Sequence, residues 1–511
     1  MKRVKYLLIL CVACAILLPS CYKDKGNYDY NPLGNITISG LPQRIVAVIH
    51  STTLNLTPTV TSNYSDSELD FTWVMATRLL GTGARRDTIG REKTLNYLME
   101  LSPDIYDLYC IVAHKKYDFA TVSNPVEVEV GTPFSRGLYI CKETAGGDTE
   151  LDLWLDDGTL MENLSSTVIN GGPISGKPKL FNPLFVIRYI DPDTHNLTNG
   201  HLMGIITENN QVQRIRISDL RLIDTHETMF YDDPPENDIP CYFYTGFSTA
   251  GYFGSTGWYQ TGMGNYPANG HKYSRTTDVS EGTIHATVSF RNSWSPIFWD
   301  HHIGGVMRLN GSMIVEATTS DNAPIQGMTS VNCLHCDSYV NPYENNNIYF
   351  ILEEKDGSGQ RYLYNYYYTN NASTHTVDID TLAVSLKFNS ATIYAANRMT
   401  NKIIYFVQGN SLYYYFPEQR TETAITLQGI PAGETITFVN NHAWTLNDPN
   451  FNYLFIGTVN GDNYTIYAYE MLGGVPSGAP IKRVSGKGKV SGIMYTYAGY
   501  TGSNVADFTQ K

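Results

Sequence analysis

Residues 347–366 read NIYFILEEKDGSGQRYLYNY, and this stretch decides the fold. An aliphatic and aromatic run leads into a turn of Lys, Asp, Gly and Ser, and a second run with alternating tyrosines follows. Two alternating runs joined by a Gly-rich turn are the signature of a β-hairpin. The same order occurs twice more, as KIIYFVQGNSLYYY at 402–415 and as YLFIGTVNGDNYTIYAY at 453–469.

These hairpins recur at a nearly fixed spacing. Phe350, Phe406 and Phe455 hold equivalent positions, 56 and 49 residues apart, which is close to the length of one propeller blade. Weaker hairpins occur at 137–155 and 202–217. We therefore predict that residues 132–511 form a β-propeller-like domain of about seven blades, with the least clear signal between 220 and 331. The alternative, a series of stacked β-sandwiches, predicts no fixed period.

Residues 34–131 contain about seven short stretches with period-2 alternation, for example FTWV at 71–74 and VEVEV at 126–130. Short alternating strands with a tryptophan on a middle strand are typical of an immunoglobulin-like sandwich. The stretch around Cys110 is similar to the G-x-Y-x-V strand of PKD domains. On that register Ile111 faces the core, Cys110 faces outward, and no inter-sheet disulfide is expected. Residues 95–101 fit either a short helix or a strand.

The first 20 residues have the pattern of a signal peptide, with three basic residues among the first five and an apolar run over 6–18. Leu18-Pro19-Ser20-Cys21 resembles a lipobox, which predicts cleavage before Cys21 and lipid on its thiol. The alternative is an ordinary signal peptide with an incidental cysteine. Residues 21–33 then form a lipidated tether, and lipid is the only membrane anchor that we expect.

The formal net charge is −13, with 36 basic and 49 acidic residues. An acidic chain is a poor partner for nucleic acid and for anionic lipid surfaces. The sequence therefore argues against nucleic-acid binding and against a polybasic membrane contact.

The segment CYKDKGNYDYNPL at 21–33, the immunoglobulin-like region and the tyrosine-rich hairpins together resemble the PKD-like family lipoproteins of Bacteroidota. Lys23-Asp24-Lys25 is similar to the short charged export tags of such lipoproteins. The resemblance implies a lipid-anchored outer-membrane protein that faces the cell exterior beside a SusC/SusD-type importer and other surface lipoproteins. It implies no catalytic residue.

The sequence offers few candidates for chemistry. It contains none of the common motifs of nucleophilic, zinc-hydrolase or nucleotide-binding sites, and we expect no catalytic residue, metal or cofactor. Asp300-His301-His302 could supply metal ligands or a base, but a polar loop is the expected role. Cys333 and Cys336 could form a local disulfide, two free thiols, a metal half-site or a redox pair. The pairs Asp191/Asp193 and Asp378/Asp380 are expected to close turns.

Aromatic residues provide the predicted binding site. A Gly/Ser/Thr-rich stretch at 245–259 is interpreted as a long loop, and a second aromatic run covers 294–299. Exposed rings on such loops are typical of binding surfaces. The alternative is that the rings pack inside the propeller. The candidate ligand- or partner-binding residues are Tyr252, Phe253, Trp258, Tyr259, Trp294 and Trp299.

These observations favour an accessory subunit of a SusC/SusD-type, TonB-dependent importer that binds or scaffolds nutrient without catalysis, oligopeptide more than glycan. A propeller-fold surface hydrolase or lyase is the second hypothesis, and a structural adhesion module is the third. A pocket with two convergent carboxylates would favour the enzyme.

Overall fold

The computed structural model describes residues 35–78, 85–246, 249–261, 272–277, 284–286, 297–301, 303–310, 313–316, 327–338, 346–368, 375–399, 402–443 and 452–496. The predicted signal peptide, Cys21 and the tether lie outside these ranges. The chain divides into two compact units, one over residues 35–47, Ser51–Met99 and Ile105–Val128, and a second that contains Glu129 onward. Among the described residues, no helix has both the length and the apolar character needed to cross a membrane.

The N-terminal unit is a PKD-like β-sandwich. Its strands are β1 (Ile36–Ser39), β2 (Arg44–Val48), β3 (Thr53–Leu56), β4 (Thr59–Ser62), β5 (Leu69–Thr77), β6 (Arg86–Gly90), β7 (Leu95–Leu98), β8 (Asp104–His114), β9 (Ala120–Val122) and β10 (Val126–Gly131). The main sheet has the order β2-β10-β8-β5-β6, with β9 on the side of β8. The pairs β1-β4 and β3-β7 form two smaller ladders. A short 3₁₀ turn, Asp66–Glu68, precedes β5.

The core of the sandwich forms around Trp73, which is fully buried on β5 and donates from Nε1 to the carbonyl oxygen of Glu92 at 2.9 Å. Its cross-strand partner is Cys110 on β8. Cys110 is a fully buried free thiol, whereas Ile111 is half-buried. The predicted register of this strand is therefore wrong by one residue, because the buried parity of β8 includes Leu108, Cys110 and Val112.

The second unit is a seven-bladed β-propeller. Its strands are, in blade 1, β11 (Gly137–Glu143), β12 (Thr149–Trp154), β13 (Leu160–Met161) and β39 (Lys489–Thr496); in blade 2, β14 (Pro178–Ile190), β15 (Leu197–Thr207), β16 (Val212–Arg216) and β17 (Leu222–Thr225); in blade 3, β18 (Pro240–Gly246), β19 (Thr249–Gly254), β20 (Gly257–Thr261) and β21 (Tyr273–Thr277); in blade 4, β22 (Ile284–Ala286), β23 (Ile297–Asp300), β24 (Gly305–Asn310) and β25 (Met313–Glu316); in blade 5, β26 (Val331–Ser338), β27 (Asn346–Glu354), β28 (Arg361–Tyr368) and β29 (His375–Thr381); in blade 6, β30 (Ile393–Ala396), β31 (Ile404–Gln408), β32 (Ser411–Phe416) and β33 (Thr421–Ile425); and in blade 7, β34 (Thr435–Ala443), β35 (Asn452–Asn460), β36 (Asn463–Leu472), β37 (Val475–Pro476) and β38 (Lys482–Lys487). Two short helical turns, Ser165–Ile169 and Lys387–Ser390, lie between strands.

Apolar clusters join each blade to the next. Separate cores connect blades 1 and 2, blades 2, 3 and 4, blades 4 and 5, blades 5 and 6, and blades 6 and 7. A further cluster packs Phe455 and Ile466 of blade 7 against Ile140 and Ile493 of blade 1, so the ring is closed. The prediction of a propeller with about seven blades is confirmed, and residues 220–331 contain blades 3 and 4.

Blade 1 is assembled from distant parts of the chain. Its innermost strand, β39, pairs with β11, more than 340 positions earlier in the sequence. A buried polar contact reinforces this junction. The Asp152 carboxylate accepts from Lys142 Nζ at 2.7 Å and from the Tyr464 hydroxyl of blade 7 at 2.7 Å.

In each blade, one strand at the end of the sheet is the inner strand. These inner strands are β39, β14, β18, β22, β26, β30 and β34. Neighbouring inner strands lie side by side, as β34 does with β39, and β39 with β14. They surround the propeller's central channel. We call the end at which the inner strands begin the mouth.

A candidate binding site at the mouth of the central channel

The predicted aromatic site is not an exposed loop. Tyr252 and Phe253 lie on β19, Trp258 and Tyr259 lie on β20, and none is more than 6% exposed. Phe253 and Trp258 are cross-strand partners with ring centroids 4.1 Å apart. The prediction of exposed rings is wrong here, because these rings form the core between neighbouring blades.

The glycines that suggested a loop have a packing role. A Cβ atom added at Gly251 would lie 1.6 Å from the Trp258 ring, so the tryptophan occupies the space that a side chain would need. Glycine inside a strand often marks such a close approach.

The second aromatic run is also buried where it is described. Trp299 on β23 is fully buried against Phe350 and Tyr364 of blade 5, with ring centroids 5.5 and 5.3 Å away. It belongs to the core between blades 4 and 5. Trp294 lies outside the described residues.

The metal-like motifs are separated by the fold. Asp300 is buried at the end of β23, His301 is half-buried, and His302 lies outside the described residues. Burial lowers the pKa of His301, and nearby Lys355 adds to this effect. Within the described ranges, no group of three or more His, Cys, Asp or Glu side chains is placed to hold a metal ion.

Only one of the two aspartate pairs closes a turn. Asp191 accepts from the backbone N–H groups of Asp193 and Thr194 at 3.0 and 2.9 Å, as predicted. Asp378 and Asp380 lie within strand β29, so their predicted turn role is wrong. Asp380 instead forms an ion pair with Arg420 at 3.0 Å.

Cys333 and Cys336 are two free, buried thiols on inner strand β26. Residues three apart on a regular strand face opposite sides, yet both belong to the same apolar core. The reason is a β-bulge at Leu334, which shifts the register by one residue between Cys333 and His335. Burial raises the pKa of the Cys336 thiol, and a hydrogen bond with Cys333 raises it further.

The same irregularity recurs around the mouth. Five inner strands have one extra residue near their first position, and we call these five the bulge residues: Lys179, Cys241, Leu334, Thr437 and Ser491. Each is partly or fully exposed while the residues on both sides of it are buried. Bulges are frequent beside binding sites because they redirect a side chain. Here they present one accessible side chain per strand at the mouth.

A cavity of about 470 Å³, the mouth cavity, opens among the inner strands of blades 5, 6, 7 and 1. Its walls are formed by Glu143 and by residues 334–335, 392–394, 436–439 and 489–491. Three of the five bulge residues therefore line it. The volume lies within the usual range for small-molecule sites.

His335 is the buried polar group of this wall. Its ring lies between Tyr349 and Tyr394, with centroid distances of 5.8 and 5.5 Å, and it is 8% exposed. Within the described part of the chain, its Nε2 atom has no hydrogen-bond partner. Burial lowers the pKa of His335 to about 4, so the imidazole is neutral at pH 7 and can either donate or accept a hydrogen bond.

A buried ion pair follows His335 along the inner strands. Asp337 accepts from Arg398 at 2.8 Å and from the backbone N–H of Ala396 at 3.2 Å. Arg398 in turn donates its backbone N–H to Asn441 at 2.7 Å. These contacts tie blades 5, 6 and 7 together beneath the mouth cavity and hold its wall in place.

The profile of the PKD-like family matches residues 21–178. The match begins at Cys21, includes the sandwich and ends at Pro178, the first residue of β14. No curated protein matches the chain.

Several solved structures show weak similarity to the chain. They include the dihydro-heme d1 dehydrogenase NirN in complex with DHE, with 10% identity, a TM-score of 0.34, and coverage of 88% of this chain and 80% of that one. The Mitotic Checkpoint Complex gives 8% identity, a TM-score of 0.33, and coverage of 56% and 73%. The WD40 domain of SCAP from fission yeast has 8% identity, a TM-score of 0.31, and coverage of 60% of this chain and 64% of that one. Similarity at this level carries no inference about function.

Proposed function

We propose that this protein is a lipid-anchored binding protein of the outer membrane, and that its propeller binds nutrient in the mouth cavity without catalysis. The observation that carries the proposal is a cavity with three bulge residues on its wall, Leu334, Thr437 and Ser491, and with the unpartnered Nε2 of His335 buried in that wall. A buried polar atom without a partner is costly. A turn of the His335 ring towards the cavity would let a ligand hydrogen-bond to this atom and remove that cost.

The chemistry of the wall supports binding rather than hydrolysis. Most glycosidases use two carboxylates that face each other across the substrate. The described wall of the mouth cavity contains one, Glu143, and its carboxylate is held by Lys177 at 2.7 Å. Among the residues that the structure describes, none has a carboxylate hydrogen-bonded to the ring of neutral His335 that would orient it as a general base.

The position of the family match supports the anchor. It starts at Cys21, the residue at which the lipobox predicts cleavage and lipid attachment. In this proposal the PKD-like sandwich is a spacer or docking module. The protein then acts as an accessory subunit of a SusC/SusD-type importer, beside other surface lipoproteins, and faces the cell exterior.

The mouth cavity suits an oligopeptide better than a glycan. Its wall combines aliphatic side chains, such as Leu334 and Ile393, with the hydroxyls of Thr392, Thr437 and Ser491. Sugar sites usually present aromatic faces to the ligand, whereas the rings of Tyr394 and Phe438 are largely buried here.

The test is to fill the mouth cavity. Thr437→Trp places a large ring on a bulge residue of the wall, and Thr423→Trp, on the exposed outer strand β33, is the matched control. Binding of a random tetrapeptide mixture and of mixed neutral oligosaccharides is measured by equilibrium dialysis. We expect peptide binding by the parent and by Thr423→Trp, and loss of binding by Thr437→Trp. Equal binding by all three proteins would place the site elsewhere.

A second measurement tests the partner. The tagged protein is purified from outer membranes in mild detergent, and the co-purifying proteins are identified by mass spectrometry. A TonB-dependent transporter and its lid protein are the expected partners. Their absence from a preparation in which the anchor is intact would contradict the importer role and leave ligand binding to be judged by the dialysis experiment.

A further inference from the structure

The mouth cavity contains one positive charge without a counter-ion. Its wall includes two residues that are charged at neutral pH, Glu143 and Lys489, which are cross-strand partners in blade 1. Glu143 is neutralised by Lys177 at 2.7 Å. In the described ranges, Lys489 forms no ion pair. The cavity is thus locally cationic on a chain whose net charge is −13.

Hydroxyl groups lie on the same side of the cavity as this ammonium group. Ser491 is two residues after Lys489 on β39, and Thr437 is the bulge residue of the neighbouring inner strand β34. Both side chains are partly exposed to the cavity side of their strands. The Thr437 hydroxyl already donates to the Gly457 carbonyl oxygen at 3.5 Å. The ammonium group of Lys489 and the hydroxyl of Ser491 are therefore the donors for a carboxylate, and such charge-assisted bonds are the stronger class.

The opposite side of the cavity is different in character. Leu334 is 37% exposed there, and Ile393 of blade 6 lies beside it. The neutral ring of His335 lies behind these residues, packed between Tyr349 and Tyr394. A ligand that fits both sides of the cavity has an anionic group at one end and an apolar segment at the other.

From this arrangement we infer that the mouth cavity recognises a carboxylate of its ligand through Lys489 and Ser491, with the apolar part of the ligand over Leu334 and Ile393. This inference rests on the proposed function and names the chemical group that the site selects. The source that we propose is the C-terminal carboxylate of an oligopeptide. An acidic sugar would present the same group.

The experiment compares ligands that differ only in this group. The probes are one random tetrapeptide mixture as free acids, the same mixture as C-terminal amides, and a trimer of galacturonic acid. Retention of each probe is measured by equilibrium dialysis with the parent protein, with Lys489→Gln, and with Lys487→Gln as the matched control. Lys487 is exposed, lies two residues away and does not line the cavity.

We expect the free acids to bind at least tenfold better than the amides to the parent and to Lys487→Gln, and the ratio to fall close to one in Lys489→Gln. Equal binding of acids and amides to the parent would overturn the inference while the proposed function stands. Retention of the galacturonate trimer alone, lost in Lys489→Gln, would support carboxylate recognition and overturn the peptide as its source. Retention of no probe would overturn both proposals.

Discussion

Asp152 offers the sharpest test of how the propeller ring is held closed. Its side chain and that of Lys142 are 0% and 1% exposed, and the two groups are 2.7 Å apart. The same carboxylate also accepts from the Tyr464 hydroxyl of blade 7 at 2.7 Å and from the Asn163 backbone N–H at 2.8 Å. Asp152→Asn removes the negative charge and leaves a buried ammonium group beside a neutral amide.

Loss of one partner of a buried ion pair costs about 3–5 kcal/mol, because the remaining charge has no water to solvate it. Tyr464→Phe deletes a single hydrogen bond to a charged group, which predicts a smaller loss of about 1.5–3 kcal/mol. The double variant Lys142→Met/Asp152→Asn should recover most of the stability, since the isolated charge is gone and the Asn oxygen still accepts from Tyr464.

Urea unfolding followed by tryptophan fluorescence measures these differences. Trp73→Ala identifies the transition of the sandwich, and the Asp152 and Tyr464 variants should shift the other transition. A loss below about 1 kcal/mol for Asp152→Asn, or a double variant no more stable than the single one, would refute the reasoning, since a buried unpaired charge predicts the opposite order.

Three other predictions concern the anchor, the core and acid stability. Cys21→Ala should move the protein from the membrane pellet to the soluble fraction, because lipid on Cys21 is the predicted anchor; retention in membranes after a salt wash would contradict this. Trp258→Ala should lower the stability of the propeller by about 3–5 kcal/mol, as expected for a buried tryptophan; a variant that unfolds like the parent would show that the ring is not core. The backbone N–H of Thr194, together with Arg216 and the backbone N–H of Asp193, lowers the pKa of Asp191 from 3.8 to about 2, so its contribution to stability is complete above about pH 4 and is lost as the pH falls towards 2. Asp191→Asn should therefore flatten the acid limb of the stability curve in this window, and an unchanged limb would exclude the contribution.

The sequence predicted the fold where strand alternation was regular. The hairpins at 347–366, 402–415 and 453–469 correspond to β27–β28, β31–β32 and β35–β36, because each has aliphatic and aromatic residues at period 2 and a glycine turn. The stretch at 245–259 failed for a physical reason. Its glycines resemble a flexible loop in a sequence, but in the folded blade Gly251 provides space for the ring of Trp258.

The candidate site was not predictable in the same way. A β-bulge needs two strands, since the extra residue exists only relative to a partner, and one sequence does not show that partner. Thr437 and Ser491 look like ordinary strand residues. The available signal was an accessible residue between two buried ones. The error at Cys110 and Ile111 has another cause, because β8 alternates regularly and only the assumed register was shifted by one residue.

Blade 1 combines strands from both ends of the propeller sequence, and this determines when during synthesis the blade can be completed. Strand β11 is the first strand of the propeller to be synthesised, but its inner partner β39 is the last of the described strands. Until then β11 has one edge with unpaired backbone groups, and such an edge is prone to pair with other chains. Joining segments so far apart in sequence is slow, because a long loop must close before the contacts that stabilise it can form. The interval before residues 489–496 are synthesised is therefore the period in which the chain is most exposed to misassembly, and the free edge of β11 is a defined site for a chaperone to shield.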